Sequence, residues 1–250
     1  GEIDPEFTDL LESSRVKFYN FDMTLPFSSC HKLDTLPSEF DLVYHLAAIN
    51  GTRLFYEIPY KLARTNLLLT LNLLDWLETI KINRLVYSSS SEVYAGAEFL
   101  GKLEIPTKED VPVVFPQPTN SRFSYGTTKF MGEFLCMNFG EKNCIPTTII
   151  RYHNIYGPRM GNKHVIPEFI QRVSSGKNPF TMSGKKETRS FCYIDDAVNA
   201  TSLIAENINC DGEIIHVGNS SEEINIENLA KMIMSEMNVN LEIYDKGRKS

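Results

Sequence analysis

Compact apolar runs alternate with longer segments at helical spacing along most of this chain, and that alternation limits what it can fold into more than any other feature. Residues 41–46 (DLVYHL), 83–88 (NRLVYS), 147–151 (TTIIR) and 214–217 (IIHV) are short and rich in β-branched or aromatic side chains. Runs of this kind suit strands buried on both faces of a parallel sheet. Between them, residues 60–79 repeat Leu62, Asn66, Leu69, Leu73 and Leu77 at helical period, and helices are expected at 122–139, 166–174, 195–206 and 226–237. Asp195 is the expected N-cap of the fourth and Gly176 the stop after 166–174. Residues 15–21 (RVKFYNF) alternate and predict a short strand ending at Asp22, and 241–244 a last strand, while 1–14 are polar with no strand pattern. Strands alternating with helices predict an α/β chain with a mostly parallel, doubly wound sheet.

In such sheets ligands lie beyond the carboxyl ends of the strands. Four polar or small-residue clusters fall there: Asp22, residues 45–48, residues 88–94 and residues 151–159. The segment 122–139 (RFSYGTTKFMGEFLCMNF) adds Tyr125 and Lys129 four apart, on one helical face, beside an apolar stripe of Gly126, Phe130, Phe134 and Met137. A phenol ionises near pH ~10, and an adjacent ammonium favours the phenolate, so the pair can serve as a base. With eleven tyrosines in the chain such a pair arises by accident at about even odds, so its weight comes from the clusters around it. Ser90 can hydrogen-bond a substrate hydroxyl or cap a turn. Glu92 is a solvated loop carboxylate or an acid/base aimed into the cleft. Arg189 can grip a phosphate bidentately or pair with Asp195 or Asp196.

Composition removes several classes. A formal net charge of −7 argues against nucleic acid or an anionic membrane as partner. An anionic small ligand then needs a few local arginines. The five cysteines, Cys30, Cys136, Cys144, Cys192 and Cys210, show no metal-ligand spacing. That usage implies a reduced, cytoplasmic compartment. No apolar run approaches the ~18 residues of a membrane span.

Seven motifs in order carry a resemblance: VYHLAA at 43–48, Asn66, YSSSSEVYAG at 87–96, Tyr125-xxx-Lys129, RYHNIYGPR at 151–159, TRSFCYIDD at 188–196 and HVGN at 216–219. Each alone is weak. Together they resemble the extended short-chain dehydrogenase/reductases of the NAD-dependent epimerase/dehydratase family, which act on nucleotide-diphosphate sugars. The resemblance implies a Rossmann-type sheet formed by residues 1–155, with 189–218 returning to it, and a smaller α/β substrate domain from 156–188 and 219–250. It implies NAD rather than NADP as cofactor, a nucleotide-diphosphate sugar as substrate, and a homodimer through the helices at 60–79 and 122–139. Tyr125, Lys129, Ser90 and Glu92 then fall at catalytic positions. Asp22, Leu46, Ala47, Ala48, Asn66 and Ser88 join Tyr125 and Lys129 at the cofactor, with Asp22 on the adenine. Ser91, Asn154, Arg159, Val165 and Arg189 surround the substrate, Asn154 and Arg189 on its phosphates.

The mechanism so implied has Tyr125 take a proton from a sugar hydroxyl while NAD⁺ takes hydride from the same carbon. Epimerisation, as the broadest group, is the first expectation. Decarboxylation of UDP-glucuronate, in whose enzymes Ser-Glu stands at Ser91-Glu92, and 4,6-dehydration follow. A non-catalytic relative that keeps the pocket is the alternative of another class. Two departures stand out. Tyr94-Ala95-Gly96 spaces the usual Tyr-Gly by one residue, and the Gly-rich GxxGxxG loop that holds the cofactor pyrophosphate is absent from these residues. The expectation is that roughly 30 to 50 further residues lie upstream, a strand–helix–strand unit, and that the 250 residues alone fold poorly and do not bind NAD.

Overall fold

The computed structural model describes residues 5–162 and 164–247. Its helices are α1 (Pro5–Glu12), α2 (Thr52–Glu57), α3 (Pro59–Leu77), α4 (Ala95–Phe99), α5 (Ser124–Asn143), α6 (Val165–Ser174), α7 (Ile194–Glu206) and α8 (Ile226–Glu236). The strands that matter for the site are β1 (Val43–His45), β2 (Leu85–Ser90), β3 (Thr147–Tyr152), β4 (Phe180–Met182), β5 (Ile214–Val217) and β6 (Ile243–Asp245). β1, β2, β3 and β5 form one parallel sheet in the order β5-β3-β2-β1, with Val43 opposite Leu85, Leu85 opposite Thr147, and Ile214 opposite Ile149.

Successive strand residues point to opposite faces, and both faces of this sheet are covered. Leu85, Tyr87 and Ile149 pack under α3 and α5 with Leu73, Leu77, Cys136 and Phe139. Val86, Ile150 and Val217 face the other way, onto Ala197 and Ala205 of α7. Helices on both sides make the sheet doubly wound. A separate core joins α6, α8, β4 and β6 around Phe169, Val173, Phe180, Met182, Leu229 and Ile233, with β6 pairing parallel to β4.

The stripe expected on α3 is buried throughout, from Leu62 to Leu77, and Pro59 starts the helix where a missing N–H is harmless. The stripe expected on α5 is not. Phe130 is 39% exposed and Phe134 59%, while Tyr125, Thr128, Lys129, Glu133 and Cys136 face inward. Inward polar groups are tolerated because the sheet supplies partners for them, described below. Close approach is possible because Gly132 has no Cβ; one would lie 2.0 Å from the Tyr87 hydroxyl.

Residues 15–21 form no strand among the described residues: Arg15 lies in a turn closed by the Val16 N–H on the Ser13 carbonyl, and 16–21 carry no regular structure. Side-chain contacts hold the segment that follows: Phe27 stacks on Trp76 at 4.8 Å, and the Met23 carbonyl accepts from Asn72 Nδ2 at 2.9 Å. The polar start forms α1. Asp195 lies in the first turn of α7, where an acidic side chain suits the helix dipole, and Tyr193 occupies the N-cap.

Candidate active site

One cavity of about 1490 Å³ lies between the carboxyl ends of β1, β2 and β3 and the second core. Its sheet side carries Leu46, Ala48, residues 88–92, Tyr125 and Lys129; its far side carries Asn154, Val165, Arg172, Lys177, Arg189 and Lys246. The far side brings four cations together in a chain of net negative charge, two of them paired with carboxylates of the same wall, Arg172 with Glu168 and Arg189 with Glu187, so the local arginines an anionic ligand needs are present.

Each sheet-side group is held from below. Lys129 Nζ donates to the Ser88 carbonyl at 2.5 Å, 5.9 Å from the centre of the Tyr125 ring. Burial lowers the Lys129 pKa to about 8, against the opposing pull of Cys136 and Glu133. Tyr125 stacks on Phe55 with ring centres 5.1 Å apart and planes 9° from parallel. Burial, then the Glu92 charge, pushes its phenol above the ordinary range, which favours the neutral phenol. Ser90 Oγ accepts the Glu92 N–H at 3.3 Å, capping the short turn Ser91–Tyr94 and leaving its own hydrogen for another acceptor.

Beneath the serines runs a buried network. Ser89 Oγ donates to Glu133 Oε1 at 2.5 Å, and Arg151 grips the same carboxylate through Nε at 2.8 Å and Nη2 at 2.7 Å. Arg151 also donates to the Tyr94 hydroxyl and, at 3.1 Å, to the Glu109 carbonyl. Burial opposes the Arg151 charge, but Glu133 outweighs it and raises the pKa. Consecutive serines thus do different work: the Ser88 carbonyl holds Lys129, the Ser89 side chain ties the strand to α5, and Ser90 faces the cavity.

Several expected site residues lie elsewhere. Asp22 is exposed, caps Thr24 through a 2.9 Å bond and is not on the cavity wall. Arg159, at φ 64°, and Ala47 are also off the wall. Asn66 is buried behind it, where its amide accepts from Ile49 N–H at 2.7 Å and donates to Ile49 O at 3.1 Å, fixing the loop after β1. Arg189 pairs with Glu187 at 3.3 Å rather than with Asp195 or Asp196. Asn154 lines the cavity and donates to the Ser190 carbonyl at 3.1 Å. The cavity also uses residues that motif reading missed. Phe55 sits on a six-residue helix with no clear periodicity. Arg122 stands three before Tyr125, one helical turn upstream, which is a usable signal, and it hydrogen-bonds Glu92.

His45, buried at the end of β1 with Nε2 2.9 Å from Thr70 Oγ1, is held neutral by burial and then by Lys129, with its pKa lowered to about 3. The unfolded chain takes up a proton below pH ~6.5 that folded His45 refuses until far lower, so its contribution to stability is complete above pH ~6.5 and is lost as pH falls toward 3. His153, lowered to about 4 by burial and then His216, acts in the same direction. Between pH 7 and 5, His45→Gln is expected to lose about 2 kcal/mol less stability than wild type in urea titrations. Equal losses in the two proteins would show that His45 titrates normally.

The profile of the "NAD dependent epimerase/dehydratase family" matches residues 8–218. UDP-N-acetyl-alpha-D-glucosaminuronate decarboxylase of Bacillus cytotoxicus is 35% identical over 206 residues, covering 81% of this chain and 61% of that protein. UDP-glucuronate 4-epimerase of Thermodesulfobacterium geofontis is 29% identical over 227 residues, covering 90% and 65%. The chain therefore spans less than two thirds of the length of these curated relatives. Among solved structures, UDP-glucuronic acid 4-epimerase from Bacillus cereus, in complex with UDP-glucuronic acid and NAD, superposes with a TM-score of 0.81 at 28% identity, covering 96% of this chain and 72% of that one. A parallel Rossmann-type sheet, the serine-rich strand end, the Tyr125–Lys129 pair and the family profile converge: the chain belongs to the NAD dependent epimerase/dehydratase family.

Proposed function

We propose that the protein carrying this chain is an NAD-dependent enzyme that remodels a UDP-sugar through a keto-sugar intermediate, with epimerisation as the reaction. The observation that carries the reading is the placement of Ser90, Tyr125 and Lys129 on one wall of a cavity whose opposite wall holds Arg172, Arg189, Lys177 and Lys246. A sugar diphosphate spans such a cavity with its phosphates on the cations and its hydroxyl at the phenol. Leu46 and Ala48 give the same cavity an apolar stretch of wall, Ala48 packed in one cluster with Tyr125, that suits a flat nicotinamide ring. When bound, NAD supplies the hydride acceptor. Tyr125, as its phenolate, accepts the hydroxyl proton, Ser90 Oγ donates to or accepts from that hydroxyl, and the Lys129 charge near the ring favours the phenolate form. The division into a cofactor lobe (1–155 with 189–218) and a substrate lobe (156–188 with 219–250) agrees with the two separate cores. Tyr60, 79% exposed, and Phe134, 59% exposed, support the homodimer through α3 and α5. No helix among the described residues is long and apolar enough to cross a membrane, and a cytoplasmic site agrees with cysteines that are all free.

The test is product analysis after incubating the full-length protein with NAD and UDP-glucuronate, UDP-glucose or dTDP-glucose; a 4-epimer is expected, and no conversion of any of them overturns the reading. Decarboxylation stands second because Ser91-Glu92 lines the cavity and the 35%-identical relative is a decarboxylase. Release of carbon dioxide from UDP-glucuronate would select it. If Glu92 transfers a second proton after oxidation, Glu92→Gln is expected to stall there, with the absorbance of reduced nicotinamide building up. Unchanged turnover would make Glu92 a bystander.

A further inference from the structure

Arg122 belongs to the cavity wall, yet no motif of the family resemblance includes it. It lies in the turn Ser121–Phe123, whose backbone is fixed by Asn120 Oδ1 accepting the Arg122 N–H at 3.1 Å. From there its Nη1 donates to Glu92 Oε2, and both side chains are 28% exposed. The guanidinium carbon also lies 5.7 Å from the centre of the Phe55 ring, the ring stacked on Tyr125. The Glu92 backbone rests directly on α5, next to the residue that follows Tyr125: a Cβ at Gly126 would fall 2.2 Å from the Glu92 carbonyl oxygen. From that turn the charge of its carboxylate reaches the Tyr125 phenol.

We propose that Arg122 is a positioning residue for Tyr125: it draws the Glu92 carboxylate to itself and offsets its charge, so that the phenolate does not form beside a bare anion. The proposal rests on the reading of Tyr125 as the base. A phenol losing a proton next to an uncompensated carboxylate does so only at higher pH. Glu92 does act on Tyr125 in that direction. The charged and titratable groups around Arg122 and Tyr125 are Glu92 on the turn, Lys129, Glu133 and Cys136 on α5, His45 on β1, Tyr87 on β2, and Tyr56 and Glu98, both of which act on Arg122. Glu133 is held by Arg151, and Lys129 is committed to the Ser88 carbonyl. Arg122 is hydrogen-bonded to Glu92 itself.

The experiment is single-turnover reduction of NAD⁺ by the full-length protein, with UDP-glucuronate, UDP-glucose and dTDP-glucose as probes, followed across pH by the absorbance of reduced nicotinamide. This step precedes any proton transfer by Glu92, and loss of the Lys129 charge near pH 8 can only lower the rate, so the midpoint of the rising limb reports Tyr125. Because the base works deprotonated, the rate rises with pH, and a raised pKa moves that rise upward. Arg122→Gln is expected to move the midpoint up by about one pH unit, the scale of one unmasked charge at partly exposed separations. Arg122→Lys keeps the charge and is expected to stay within a few tenths of wild type. Arg122→Gln combined with Glu92→Gln removes both charges and is expected to restore the midpoint, even if later steps remain slow. A lower rate with an unmoved midpoint in Arg122→Gln, or a shift that survives in the double variant, overturns the proposal and leaves Arg122 a packing residue. Full reduction by Tyr125→Phe, or none by wild type with any probe, instead overturns the reading of Tyr125 or of the activity, and the proposal falls with it.

Discussion

Tyr125→Phe removes one oxygen and is expected to lower turnover by about two to four orders of magnitude, the range a positioned general base supplies. The phenylalanine ring keeps the stack on Phe55, and the cation wall across the cavity is untouched, so sugar-nucleotide binding should change little. The useful comparison is turnover against the dissociation constant of UDP-glucuronate measured by calorimetry. A variant that keeps wild-type turnover would remove Tyr125 from the chemistry. One that loses turnover and binding together would make it a packing residue.

Arg151→Met is expected to have the largest effect on stability. Arg151 and Glu133 are buried against each other at side-chain exposures of 3% and 4%, and methionine leaves the Glu133 carboxylate with the Ser89 hydroxyl but no hydrogen-bonded cation, only the field of Lys129. Breaking one side of such a pair costs about 3–5 kcal/mol, mostly the penalty of a stranded buried charge. The double variant Arg151→Met with Glu133→Gln should recover a good part of that loss, because the remaining amide is neutral. Urea midpoints of the wild type and both variants decide it. A single variant within 1 kcal/mol of wild type, well below that range, would mean that water or a rearranged side chain reaches Glu133.

The two long helices show how far local pattern reaches. On α3 the residues at helical spacing are also the buried ones, because that helix meets the sheet through side chains that need only exclude water. On α5 the same reasoning points the wrong way. Its inner face is Tyr125, Thr128, Lys129 and Glu133, polar groups whose burial is tolerated through partners on other elements: Ser88, Ser89 and Arg151. Nothing within residues 122–139 announces those partners. The outward aromatics are the counterpart of the same inversion. Residues 15–21 fail for a related reason: alternation shows a strand-compatible segment, but a strand exists only where a neighbour completes its hydrogen bonds.

The order of apolar runs and helical segments, the carboxyl-end clusters and the spacing of Tyr125 and Lys129 are local properties, and the sequence by itself determined from them the α/β class and the end of the sheet at which Ser90, Tyr125 and Lys129 meet, while the resemblance of seven ordered motifs pointed to the family. Which charge faces which was decided only in three dimensions. Glu92 and Arg122 are thirty residues apart, Phe55 and Tyr125 seventy, and Ser89, Glu133 and Arg151 come from three different elements. Electrostatic and hydrogen-bond energies depend on distance and burial, which chain spacing does not encode beyond a turn or two of helix. The same dependence raises the Tyr125 phenol above its ordinary range, makes Lys129 a weakened cation tied to a carbonyl, and makes Asn66 a brace for the loop after β1.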